Sequence, residues 1–191
     1  MRLFAAVIPP PGALAELAAA ASPLHALPGA RELRWTERAG WHLTLAFYGD
    51  VPDDVVPELS ERLARAAARR KPLELRLESG GHFGDRALWA GVTGDTRELR
   101  RLAGAAGAAG RRAGLAVNEE RSYHPHLTLA RQGGHGSVRL AALASELRGF
   151  AGISWTAARL ELVRSHLPGG GIPGLQPRYE VVGGWALGGS G

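Results

Sequence analysis

His42-Leu43-Thr44-Leu45-Ala46 recurs letter for letter as His126-Leu127-Thr128-Leu129-Ala130, 84 residues further along a chain of 191. A pentapeptide repeated at that distance points to a duplicated fold in which each copy is the same strand of one half. Successive side chains on a strand alternate faces, so His42 and Thr44 project to one side while Leu43 and Leu45 project to the other. His126 and Thr128 follow the same rule. Each copy therefore offers an apolar face for packing and an opposite face carrying one imidazole and one hydroxyl. Two such strands meeting across a pseudo-twofold cleft would surround a volume of about one phosphate with two imidazoles and two hydroxyls.

Outward from the repeat, helical and strand-like segments alternate. Arg2 to Ile8 reads as a strand stopped by Pro9, Pro10 and Pro11, and Pro11 opens a helix to about Ala21. Short strands are expected at Leu33 to Trp35 and Trp41 to Tyr48. Apolar residues at Val55, Val56, Leu59, Leu63, Ala66 and Ala67 recur at helical spacing over Pro52 to Arg70. Leu73, Leu75 and Leu77 alternate with charges as in a half-buried strand, and Gly80-Gly81 with Gly84-Asp85 suggest a turn region before a strand at Ala87 to Val92. A helix capped by Thr96 runs to about Ala113, with Gly104, Gly107 and Gly110 as weak points. A strand around His126 to Ala130, a Gly-rich loop at Gln132 to Gly136, a helix at Val138 to Arg148 and a strand at Ile153 to Val163 follow. A Gly/Pro-rich connection at Leu167 to Gly174 leads to a last strand at Tyr179 to Leu187, and the residues after it are expected to fray. Without the long apolar runs of a buried parallel sheet, the class is α+β with antiparallel sheets, arranged as one bilobal domain over residues 1–191.

Composition narrows the chemistry. The chain is 45% hydrophobic and 21% charged with a net charge of +5, a globular balance that favours anionic partners. It has no cysteine, which removes disulfides, thiolate nucleophiles and Cys-based metal sites. No apolar run reaches the ~20 residues that span a bilayer, so a cytoplasmic protein without membrane association is expected. No Gly-rich phosphate loop with its Lys follows a strand.

Two imidazoles and two hydroxyls suit in-line displacement at phosphorus, where one group takes a proton from the attacking oxygen and another protonates the leaving oxygen. Histidine serves both roles because its ordinary pKa of ~6.5 lets one ring be neutral and the other charged near neutral pH. The threonine hydroxyls can hold the non-bridging oxygens, and no metal or cofactor is required. His124-Pro125-His126 could be read as a metal pair, but Pro125 disturbs the strand and no third ligand stands at a recognisable spacing. His25, His82, His135 and His166 read as ordinary surface residues. Arg62, Arg65, Arg69, Arg70 and Lys71 read as the solvated face of the second helix, or else as the basis of an RNA-binding module without catalysis.

The two His-x-Thr motifs resemble those of the two-histidine phosphoesterase superfamily, and in particular its RNA 2′,3′-cyclic phosphodiesterase branch, the bacterial 2′-5′ RNA ligase-like proteins. The likeness extends to Arg2 to Val7, Arg34-Trp35, Trp41 to Gly49, Leu88 to Val92, Tyr123 to Arg131, Leu162 with Ser165, and Tyr179. It implies a bilobal α+β fold with two antiparallel sheets lining a central cleft and helices outside. The implied activity is hydrolysis of a terminal 2′,3′-cyclic phosphate on RNA to a 2′-phosphate, without a cofactor, by a monomer. The reverse joining of RNA halves through a 2′-5′ linkage is the alternative, and a sister activity on small cyclic nucleotides stays open. By the resemblance His42 and His126 are the acid/base pair, with His126 assigned as base and His42 as acid and the reverse allowed by symmetry. Thr44 and Thr128 are phosphate ligands, Arg131 a further phosphate or ribose contact, and Phe47 or Phe83 a stacking surface for the terminal base. Strict alternation conflicts with part of this set. It sends Phe47 and Arg131 to the core side unless the strand bulges, at Ala130 for Arg131, and it puts Ala46 on the face of His42, where many relatives carry a large or basic residue.

Overall fold

The computed structural model describes residues 1–117, 123–133, 138–167 and 176–189. The expected loops at Gln132 to Gly136 and Leu167 to Gly174, His135 among them, lie largely outside these residues, as does the end of the chain.

Nine strands and four helices appear in the described chain: β1 Arg2–Val7, α1 Pro11–Ala21, β2 Arg34–Trp35, β3 Leu43–Asp50, α2 Val56–Ala68, β4 Leu73–Phe83, β5 Ala87–Gly94, α3 Thr96–Arg112, β6 His126–Arg131, α4 Leu140–Glu146, β7 Ala151–Ala157, β8 Arg159–His166 and β9 Arg178–Ala186. Every pairing is antiparallel. The strand order is β7-β4-β5-β6-β3-β1-β8-β9, with β2 paired to β6. Split at its middle, this order is two four-stranded halves, each ending at the junction on one copy of the pentapeptide. A single residue pair, Leu43 with Leu127, joins β3 to β6, so the two expected sheets form one curled sheet linked at one rung.

The duplication extends to register. Val7, Ala6, Ala5 and Phe4 pair with Leu43, Thr44, Ala46 and Phe47, while Ala90, Trp89, Leu88 and Ala87 pair with Leu127, Thr128, Ala130 and Arg131. Leu45 and Leu129 are each skipped. Each pentapeptide thus carries a β-bulge at its Leu-Ala, the extra residue that changes which face the following side chain takes. Helix placement is duplicated too. Helix α1, which follows β1, packs on β7 and β4 of the other half, and α3, which follows β5, packs on β3. These crossovers lock the halves together where backbone pairing is thin.

One face of the sheet and the helices enclose the core, with Leu3, Leu17, Leu43, Leu63, Leu75, Leu88, Leu99, Leu127 and Leu160 fully buried. Three expectations change here. The strand begun at Leu73 does not turn at Gly80-Gly81 but continues to Phe83. It bulges at Ser79, which takes a φ of 59°, and Gly81 is needed because a Cβ there would stand 2.2 Å from the Trp89 ring. The strand expected over Ile153 to Val163 is two strands parted at Ala158, β7 on the outer edge of one half and β8 beside β1 in the other. The glycines that weakened the third helix leave it intact. Gly110 lies against the Tyr48 ring, 2.7 Å from where a Cβ would be, and the Tyr48 hydroxyl donates to the Ala106 carbonyl at 3.0 Å. No helix among the described residues is long and apolar enough to cross a membrane.

Candidate active site

The sheet face away from the helices carries the polar members of both pentapeptides. Leu43 and Leu127 face each other in antiparallel register, so continuing that register one residue each way sets His42 against Thr128 and His126 against Thr44. The four side chains make a square: each histidine has a threonine along its own strand and another across the junction, and the two histidines occupy one diagonal. Diagonal neighbours on a sheet stand about 7–8 Å apart, room for one phosphoryl group between them. The proximity is electrostatic as well, since the charges of His126 and Arg131 both bear on His42. All four residues are half-buried.

The rings are oriented alike. His42 is hydrogen-bonded to the Gly40 backbone, and the Nδ1 of His126 lies 2.7 Å from the His124 carbonyl, each partner two residues upstream. A carbonyl at Nδ1 calls for the proton there, which leaves Nε2 of His126 turned to chemistry. The flanking aromatics differ between halves. His42 stacks on Phe4 with centroids 4.6 Å apart, and the Tyr179 ring meets it edge-on at 5.3 Å. His126 meets Phe83 edge-on at 4.8 Å, with Trp89 at 6.3 Å and tilted. His124, exposed, sits 4.8 Å from Trp89, and so belongs to the surround of His126.

This packing sets the proton affinity of His42. Burial pushes its pKa down to about 4, the hydrogen bond to Gly40 works against the fall, and the charges of His126 and Arg131 add to it. The ring is neutral at neutral pH. Burial also raises the Tyr179 hydroxyl, against the pull of Arg131 and Arg2.

The bulges resolve the conflict over Phe47 and Arg131. Leu45 and Ala46 both turn to the core, at 6% and 7% exposure, as do Leu129 and Ala130. The next side chains, Phe47 and Arg131, then fall on the histidine face. Phe47 pairs with Phe4, the residue that stacks on His42, and is exposed; it is not buried as its parity with Leu43 and Leu45 suggested. The expectation that Ala46 shares the face of His42 is overturned by the same bulge. The Arg2 guanidinium lies 4.9 Å over the Phe47 ring, and Arg34 pairs with Arg131 across β2 and β6.

Sequence reading missed Phe4, Trp89 and Gly40 as parts of the site. The alternation of Phe4 and Ala6 against Leu3, Ala5 and Val7 was the available signal, but both sets are apolar, and only the neighbouring strands distinguish them. Tyr123 was part of the likeness without a role; its hydroxyl donates to the Thr44 carbonyl at 2.9 Å, tying the approach to β6 onto β3. His25 packs on Trp35 and His166 pairs with Glu180, outside the site.

Residues 9–168 match the family model of the 2′-5′ RNA ligase superfamily. Over 134 residues, 69% of this chain and 74% of the relative, the sequence is 32% identical to an RNA 2′,3′-cyclic phosphodiesterase of Aeropyrum pernix. The fold superposes on the crystal structure of TT0787 of Thermus thermophilus with a TM-score of 0.73 and 26% identity, covering 100% of both chains. On apo LigT of E. coli the TM-score is 0.74 at 25% identity, over 97% of this chain and 96% of that one. With its sequence matched over most of its length and its fold shared from end to end, the chain belongs to the 2′-5′ RNA ligase superfamily, the two-histidine phosphoesterases.

Proposed function

We propose that this chain is an RNA 2′,3′-cyclic phosphodiesterase, opening a terminal 2′,3′-cyclic phosphate to a 2′-phosphate and a free 3′-hydroxyl with His42 and His126 as its acid and base. The observation that carries the reading is the square of two imidazoles and two hydroxyls about the Leu43–Leu127 rung. Water attacks phosphorus opposite the ribose 3′-oxygen; one histidine takes the proton of the water as the P–O bond forms, and the other protonates the 3′-oxygen as its bond to phosphorus breaks. Diagonal placement suits the two ends of an in-line displacement. Thr44 and Thr128, on the other diagonal, donate to the non-bridging oxygens, and Arg131 offsets their charge. Phe47 stacks on a base, with Arg2 on its other face, a contact any base satisfies.

The low proton affinity of His42 supports giving it the base role and His126 the acid role, the reverse of the sequence expectation. The site is complete within one chain, which supports a monomer, and an RNA substrate supports action in the cytoplasm.

The test is a short oligonucleotide ending in a 2′,3′-cyclic phosphate, incubated with EDTA present. The expected product is the 2′-phosphate, formed at an undiminished rate, and lost with His42→Ala and with His126→Ala. Near-parental turnover in either variant would overturn the pair. The family model's name favours one second reading, ligation in the reverse direction. A 5′-hydroxyl acceptor strand added to the same reaction distinguishes the two by whether a 2′-5′ joined product accumulates faster than the monoester.

A further inference from the structure

On the opposite side of the sheet, the outer surface of α2 and α3 holds a basin of about 290 Å³ lined by Arg62, Arg65, Arg69, Arg70 and Arg112, with Ala66, Ala105, Ala108 and Ala109 as its floor. The four arginines in and just after α2, which the sequence reads as a solvated face or else as the basis of an RNA-binding module, curve around a common hollow with a fifth from α3. Arg62 and Arg65 are paired with Glu58 and Glu61 at 2.6 and 3.6 Å. Arg69, Arg70 and Arg112 form no ion pair with any described residue. The Nε of Arg70 is buried and has no hydrogen-bond acceptor.

Basic side chains near helix C-termini interact with the last carbonyls, and α2 and α3 both end here. That accounts for a guanidinium at each terminus. It does not account for five converging on one hollow, where like charges repel, nor for a buried donor left unmatched, which is unfavourable. A multivalent anion removes both penalties. Guanidinium forks match phosphate oxygens two at a time, and small alanines let an anion reach the helix surface. The floor has no aromatic ring, so nothing there stacks on a base.

We propose that this basin is a second, non-catalytic site that binds contiguous phosphate groups, whether of a free oligophosphate or of an RNA backbone. It lies on the helix side of the sheet, away from the histidine face, and does not depend on the catalytic reading.

The test uses the full chain, tripolyphosphate as probe and calorimetric titration at low salt. The charge reversal Arg69→Glu/Arg112→Glu alters exposed side chains, and Arg69→Lys/Arg112→Lys keeps the charge while removing the forks. The reversal is expected to weaken tripolyphosphate at least about tenfold and the lysine pair less, with kcat/KM on a dinucleotide 2′,3′-cyclic phosphate unchanged within twofold. Unchanged tripolyphosphate affinity in the reversal variant, or no saturable binding by the parent, overturns the site. A 30-nucleotide RNA with 3′-hydroxyl ends then identifies the source. Parallel weakening, with the salt slope of binding reduced by about 2, assigns the phosphates to an RNA backbone; a response by tripolyphosphate alone assigns them to a free oligophosphate.

Discussion

Among the described residues Leu43 and Leu127 form the single backbone rung between the two halves of the sheet, and both side chains are fully buried on the helix side while the histidine beside each turns to the cleft. The pseudo-twofold relation of His42 and His126 is thus fixed by a pair of leucines. Leu127→Ala should cost about 2–5 kcal/mol of stability through lost packing and the cavity left behind. Urea unfolding measures this, and residual folded enzyme should show a larger fall in kcat than in substrate affinity, because the rung sets the spacing of the imidazoles.

Thr44→Val and Thr128→Val keep shape and remove a donor. Each is expected to lower kcat/KM on a cyclic-phosphate oligonucleotide about 10- to 150-fold, the weight of a hydrogen bond to a charged group, about 1.5–3 kcal/mol. Both hydroxyls are half-buried, so melting temperatures should move little. Steady-state kinetics beside thermal melts distinguishes a lost phosphate contact from a damaged fold.

Burial holds His42 down at about 4, whereas an unfolded chain carries it at 6.5. Between those values the unfolded chain binds a proton that the folded chain does not, so stability rises with pH across this window and is lost on acidification from 6.5 toward 4. Below the window both states are protonated and the loss levels off. Denaturant melts at pH 7 and pH 5 should show a smaller difference in His42→Gln than in the parent.

The charge of Arg131 is one of the influences that depress His42. Arg131→Met should therefore raise the His42 pKa, moving the acid limb of the kcat/KM profile to higher pH, and should weaken substrate as well. A profile that keeps its acid limb would separate Arg131 from His42.

Ala46 and Phe47 test the bulge. Since Ala46 faces the core, Ala46→Lys should destabilise the protein by several kcal/mol through burial of a charge, without improving substrate binding. Phe47→Ala, at an exposed platform, should leave stability nearly intact and raise KM for oligonucleotides. Strict alternation predicts the opposite pattern, so chemical melts of the two variants decide it.

The repeat, its strand alternation, the antiparallel α+β class and the chemistry that paired His-x-Thr supports were all legible in the chain before it folds. These depend on local periodicity and on side-chain type, which a chain carries wherever it folds. Strand pairing was needed to bring Phe47 and Arg131 onto the histidine face and take Ala46 off it, because a bulge is a relation between a strand and its partner. It also decided the parting of β7 from β8 at Ala158, where the chain crosses from one half to the other and the buried positions shift phase from Trp155 and Ala157 to Leu160 and Leu162. The neutral state of His42 belongs to the same class. Its cause is desolvation beside Phe4 and Tyr179, residues brought from near the two ends of the chain, and no local pattern around His42 encodes which side chains will exclude water from it.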